Sequence, residues 1–280
     1  MSTTWTAVIE GLAFAEAPRF RDGALFVSDI FGGAVWRAGP TTEVVAEVPG
    51  RPSGTGWLPD GRLVVVSMRD RLVLVEGHGG LEVLADLSSL AAGDCNDMVV
   101  DGQGRAYVGN FGYDYAAGAP RQPADLIMVS PDGSACVVAE ELWFPNGMAI
   151  TPDGATLLVA ESSANRVSAF SVAGDGSLSG RAVFATFGEG RPDGICLDAE
   201  GALWVASPAT GELMRVLPGG EVTDRLDPPQ GQAQACMLGG TDGRSLYVCS
   251  TPTHDFEEAL RLRAGRVDVT RVEVAGAGWP

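Results

Sequence analysis

The sequence predicts an all-β chain folded as one six-bladed β-propeller, on three observations. Glycine is abundant, at 38 of 280 residues. Acidic-Gly pairs recur, each followed by a short apolar run. The interval between these units is that of four-stranded propeller blades. The best-matching segments are RDGALFVSD, PDGRLVVVS, GQGRAYVGN, PDGATLLVA, AEGALWVAS and TDGRSLYVC. Each is a turn glycine leading into a strand rich in Val, Leu, Tyr or Trp. The glycines are Gly23, Gly61, Gly104, Gly154, Gly201 and Gly243, with gaps of 38, 43, 50, 47 and 42 residues. Helical repeats of similar length need a 3.6-residue apolar period, which these segments do not show.

One unit serves as the pattern. RPDGICLD is strand one, ALWVASP strand two, GELMRVLPGG strand three and EVTDRLDPP strand four, with turns at AEG, ATG and PGG. The last unit has only three strands, AQACMLGG, RSLYVCS and GRVDVTRVEV. The spare N-terminal segment WTAVIEG supplies the fourth and closes the ring, which removes the free sheet edges. Residues 1–280 are therefore expected to form a single domain without a linker.

The bulk numbers narrow the function classes. The hydrophobic fraction is 45% and the formal charge is -17. Such a charge repels phosphate backbones and anionic lipid, so nucleic-acid and membrane partners are not expected. No apolar run approaches the roughly 18 residues that span a bilayer, and the N-terminus is a poor signal peptide. Five cysteines, three of them (Cys95, Cys196, Cys236) beside strand starts, suit buried free thiols in a cytoplasmic protein. A monomer or weak homo-oligomer is expected.

Strand one of each blade lines the propeller axis. Eight residues before the turn glycine lie Ser53, Asn96, Asn146, Asp193 and Ala235; in the shorter first hairpin Glu16 lies seven before Gly23. These positions are related by rotation and form a ring at one mouth of the channel. Two carboxylates and two amides converging on one point are costly to desolvate without a partner, and a bound cation supplies one. The oxygen-only set suits Ca²⁺ first, then Mg²⁺ or Mn²⁺, with Zn²⁺ also admitted. Asn146-Gly147 and Asp193-Gly194 taken singly read as common turn dipeptides. Their shared register with Glu16 and Asn96 points instead to the ring.

The segments FAEAPRF, CNDMVVDGQGRAYVGN, FPNGMAITPDG and RPDGICLDAEGALWVA occur in this order over nearly the whole chain. In them the sequence resembles the SMP-30/gluconolactonase/LRE-like family, which includes regucalcin. The resemblance implies a six-bladed propeller with a divalent metal in the channel. It implies Glu16, Asn146 and Asp193 as metal ligands, and Asn96 as a fourth ligand or as a holder of substrate or water. It also implies Asp193 as the general base of lactone hydrolysis. One departure stands out: family members acting on sugar lactones often carry Arg two residues before the ND asparagine, where this chain has Asp94. An acceptor replaces an Arg fork, which puts plain aldonolactones in doubt.

The loops before strand one and between strands two and three share the ring's mouth. The longest, NFGYDYAAGAPRQPAD and STPTHDFEEALRLRAG, are lid candidates. Phe111, Tyr113, Trp143 and Phe144 form an apolar rim or pack the loops together; Arg51 and Arg191 bring positive charge, and His254 is either a substrate contact or a solvent-exposed loop residue. His78 lies on the opposite side. No G-x-S-x-G elbow, P-loop or CxxC is present. The expected function is a metal-dependent lactonase or esterase acting on a small lactone or ester. The same site could serve phosphotriester hydrolysis or a cyclising or isomerising step, and a scaffold with a structural cation is the alternative of another class.

Overall fold

The computed structural model describes residues 3–278. Its strands form six antiparallel four-stranded sheets. The first strand, β1 (Thr6–Leu12), belongs to the last blade. Blade one is β2 (Ala15–Arg21), β3 (Ala24–Asp29), β4 (Ala34–Ala38) and β5 (Thr42–Glu47); blade two is β6 (Pro52–Trp57), β7 (Leu63–Ser67), β8 (Leu72–Gly77) and β9 (Gly80–Asp86). Blade three is β10 (Cys95–Val100), β11 (Ala106–Asn110), β12 (Ala124–Val129) and β13 (Ala135–Leu142); blade four is β14 (Pro145–Ile150), β15 (Thr156–Glu161), β16 (Arg166–Val172) and β17 (Leu178–Thr186). Blade five is β18 (Ile195–Leu197), β19 (Leu203–Ser207), β20 (Glu212–Val216) and β21 (Val222–Leu226). Blade six is β22 (Gln232–Gly239), β23 (Ser245–Thr251) and β24 (Gly265–Arg271), completed by β1 on the far side of β24. The expected closure by the N-terminal strand is thus the observed one.

The repeated acidic-Gly signal has a local cause. All six turn glycines have left-handed φ, from +70° at Gly154 to +92° at Gly61. Only a residue without Cβ takes that conformation freely. In five of the six turns an aspartate up to three residues before the glycine folds the turn: Asp60, Asp101, Asp153, Asp198 and Asp242 each accept from the backbone N–H two residues on. These five aspartates therefore sit in hairpin turns at the end of the ring remote from the candidate site.

Burial falls from the axis outward. Inner strands β10 and β14 are buried along their whole length, whereas outer strand β5 is nearly all exposed. Apolar clusters fill the wedges between neighbouring blades, as where Val64 and Val66 meet Met98 and Val108. One element was not expected. The long loop of blade six contains helix α1 (Phe256–Leu262), whose N-cap Asp255 accepts from Glu258 N at 2.8 Å. The Asp-x-x-Glu spacing of a capping box was its sequence signal.

Candidate metal centre and active site

Each inner strand breaks register where the ring residue sits. The pairing slips between Glu16 and Arg19, Pro52 and Thr55, Cys95 and Met98, Pro145 and Met148, and Ala233 and Ala235. In blade five regular pairing begins only at Ile195, after Asp193. A bulge re-aims a side chain that regular pleating would send into the sheet packing. Strain accompanies it: Ala17, Arg51 and Phe144, each directly before a proline, hold φ of +47°, +73° and +58°.

Asn146-Gly147 is not a turn, since both residues lie inside β14. Gly147 is needed for close approach. A Cβ there would lie 2.5 Å from the Asp193 carbonyl oxygen and 2.6 Å from Gly194 Cα. Gly194 in turn faces Ala235, where a Cβ would meet Ala235 Cβ at 2.3 Å. The glycines that follow the ring residues thus let the inner strands of blades four, five and six close around the axis.

The amides are oriented by their N–H groups. Asn96 Nδ2 donates to the Pro145 carbonyl at 3.2 Å, and Asn146 Nδ2 donates to Ser162 Oγ at 3.2 Å. Ser162 Oγ donates in turn to the Pro192 carbonyl at 2.7 Å. Each bond uses one N–H of the amide and leaves the side-chain oxygen without a hydrogen-bond partner among the described residues. Glu16 accepts from Ala17 N, while Asp193 Oδ1 is buried without a hydrogen-bond partner.

Below the ring, Arg19 of blade one reaches past blade two to Asp97 of blade three, with Nη2 at 2.9 Å from Oδ1. Asp97 is 4% exposed and joins the carboxylates of the site, although the sequence reading did not select it. Burial pushes the Glu16 carboxyl up to about 8, and the Asp97 carboxylate adds to the rise. Burial also raises Asp193 well above its ordinary value, reinforced by Glu16 and Asp97 and opposed by the Asn146 amide. Asp97 is raised by burial and held down by Arg19. Three carboxyls face one guanidinium, and desolvated like charges resist ionising together.

This arrangement fits a hard divalent cation. Among the described residues no three His, Cys, Asp or Glu side chains converge into an ion-binding group. The candidate donors are instead the Glu16 and Asp193 carboxylates with the Asn96 and Asn146 amide oxygens, a chemistry that Ca²⁺, Mg²⁺ and Mn²⁺ prefer. The orphaned Asp193 Oδ1 and the surplus of buried negative charge are what a cation would relieve.

Above Asn146 and Asp193 opens a cavity of about 400 Å³ between the mouth loops of blades three to six. Tyr113, Phe144, Arg191 and His254 line it, together with Tyr115 and Arg121, which the sequence reading passed over. Phe111 stacks flat on Phe144 at 4.4 Å and backs that wall. Trp143 stands outside the lining, 37% exposed, with its backbone N–H donating to the buried Glu161 carboxylate at 3.0 Å. Arg51 and Asp94 lie on the other side of the mouth. Arg51 is stacked between Phe31 and Phe256, at 5.0 and 4.5 Å from the ring centres, so helix α1 closes that side by packing. Arg69, Arg51 and Arg71 surround Asp94, whose pKa is nonetheless raised by burial. His254 is fixed rather than loose. Its Nε2 meets Gln234 Oε1 at 3.1 Å and its ring stands edge-on to Phe14. Gln234 donates its Nε2 to the Gln232 carbonyl, so Oε1 accepts and His254 carries its proton on Nε2. Burial lowers its pKa and keeps the ring neutral near pH 7.

Fold and site together define a class: a six-bladed propeller whose axis presents buried carboxylate and amide oxygens to a cavity open at one mouth. The chain belongs to the SMP-30/gluconolactonase/LRE-like family, whose profile matches residues 14–252. It is 29% identical to a 6-deoxy-6-sulfogluconolactonase of Pseudomonas putida over 93% of this chain and 91% of that protein. It is 27% identical to regucalcin of Xenopus laevis, over 96% and 94% of the two chains. Among solved structures, a calcium-binding regucalcin of Agrobacterium tumefaciens superimposes with a TM-score of 0.84 at 22% identity, covering 100% of this chain and 97% of that one.

Proposed function

We propose that this chain hydrolyses a lactone at the axial site with the help of one divalent cation. Glu16, Asn146 and Asp193 would hold the ion, and Asn96 would complete its shell or hold the substrate. A cation there supplies Lewis-acid polarisation of the lactone carbonyl and lowers the pKa of an attacking water. Asp193 would give one carboxylate oxygen to the ion and take on the other the proton that the water loses, two roles that share one carboxylate. Ser162 holds Asn146 and the Pro192 carbonyl in fixed relation, which keeps Asp193 in register with the amide. Phe144 and Tyr113 offer ring faces to the apolar side of the substrate, and His254 Nδ1 is free to accept a hydrogen bond.

The observation that carries this reading is the group of three carboxyls at the axis, Glu16, Asp97 and Asp193, met by the one guanidinium of Arg19 beneath an open cavity. The lactonase name of the Pseudomonas relative supports the choice of reaction. The test is a lactone panel assayed after chelation and after separate return of Ca²⁺, Mg²⁺, Mn²⁺ and Zn²⁺. Turnover should vanish with EDTA, and Asp193→Ala should lower kcat by about 100-fold or more. EDTA-insensitive turnover, or full activity in the variant, would overturn the mechanism.

A further inference from the structure

The 19 basic residues are all arginine, against 36 acids. Thirteen of them form ion pairs among the described residues. Of the six that form none, five stand on loops of the site's mouth: Arg51, Arg69, Arg71, Arg121 and Arg191. Three of these five are engaged otherwise. Arg51 is stacked between Phe31 and Phe256, Arg71 donates to the Ser88 and Ala91 carbonyls, and Arg69 faces Asp94. Arg121 and Arg191 line the cavity, and among the described residues neither guanidinium has a hydrogen-bond or ion-pair partner. The lining carries one carboxylate, Asp193, and it lies at the foot. Both are exposed, and in a chain with nearly twice as many acids as arginines they concentrate positive charge over one cavity.

We propose that the substrate is an anionic lactone: one bearing a carboxylate, sulfonate or phosphate away from the ring ester, recognised by Arg121 and Arg191. The proposal rests on the lactonase reading and specifies its substrate. A guanidinium fork gives paired N–H donors to any of these oxyanions, more strongly than to a hydroxyl. The two arginines sit on different blades, Arg121 on the loop after β11 and Arg191 on the loop before Asp193. An anion between them is fixed from two sides while the ring ester faces the channel. The pair also reverses, at the mouth, the repulsion that a protein of charge -17 exerts on an incoming anion. The position two residues before Asn96 needs no arginine in this scheme, which accounts for Asp94.

Two measurements test it together. The first compares kcat/KM for aldonolactones of equal ring size that differ only in a neutral or an anionic terminus. The anionic lactone should be preferred by roughly tenfold or more at low salt, and the preference should shrink with ionic strength. In Arg121→Gln and Arg191→Gln the ratio of the two kcat/KM values should fall towards one. The second is calorimetric titration with a hexose 6-phosphate and with the unmodified hexose, which needs no turnover. Tighter binding of the phosphate, lost in the variants, supports the anion site even if no lactone is opened, and the lactonase reading then falls alone. Equal binding of both sugars, or a kcat/KM ratio unmoved by the variants, overturns the proposal while leaving lactone hydrolysis standing.

Discussion

Glu16 sets a pH dependence that can be read directly. Its carboxyl titrates near 4.5 in the unfolded chain and near 8 in the metal-free fold, chiefly because it is buried. Between those values the folded protein keeps the proton and the unfolded chain has lost it. The unfolded state binds fewer protons, so this group's contribution to stability falls as pH rises from about 4.5 to about 8. Glu16→Gln cannot titrate. In metal-free protein its urea midpoint should exceed the parent's at pH 8 and match it near pH 5. Saturating divalent cation should reverse the order at pH 8, because the parent gains binding energy that the variant has lost. If the two midpoints run parallel across that range, the buried-carboxyl account of the site is wrong. Glu16, Asn96, Asn146 and Asp193, the proposed ligands, could be picked from the sequence because equivalent blade positions recur seven or eight residues before a turn glycine. Asp97 was not. It follows Asn96, and period-two reasoning sends neighbours in a strand to opposite sides; the bulge between Cys95 and Met98 breaks that rule. Arg19, its partner, comes from two blades away, and no local pattern connects them.

The strand bulges and the glycines beside them are the site's construction at the next scale. Gly147→Ala puts a methyl against the backbone of Asp193, Gly194 and Ile195, none of which can rotate away. A loss of roughly 1–3 kcal/mol in unfolding free energy is expected, with weaker cation binding, since β14 must shift away from the segment that carries Asp193. Denaturant titration with and without Ca²⁺ separates the two effects, and an unperturbed variant would refute close approach as the role of this glycine. Ser162→Ala tests positioning in the same region. It removes the hydroxyl linking Asn146 to Pro192, so kcat should fall several-fold while the fold survives, and Ser162→Thr should recover part of the loss. The strands, their order and the mouth loops followed from turn chemistry and period-two patterning. Helix α1 hid in a loop, although its Asp255 to Glu258 cap was in plain sequence. That Asn146-Gly147 lies within a strand could not be decided locally, because the dipeptide favours a turn and only packing against blade five overrides it.

At the scale of the whole molecule, β1 closes the ring by pairing with β24, from Thr6 opposite Val269 to Leu12 opposite Gly265. Ile9 and Leu12 are buried there. Removing residues 1–12 should bare the edge of β24 and loosen blade six, whose inner strand abuts both Gly194 and β2. A lower thermal midpoint and concentration-dependent association in light scattering are the expected results. A monomer of unchanged midpoint would show that closure by the remaining blades suffices. Six repeats, their strand order and the closure of the ring were readable from the chain alone, because turn glycines and alternating apolar residues act over a few neighbours. Which charges meet was settled by the folded arrangement. It set Asp97 beside the ring through Arg19, turned Arg51 and helix α1 into packing, and left Arg121 and Arg191 facing an open cavity. Electrostatic partners are chosen by distance through space, and residues from different blades that share the axis have no fixed separation along the chain.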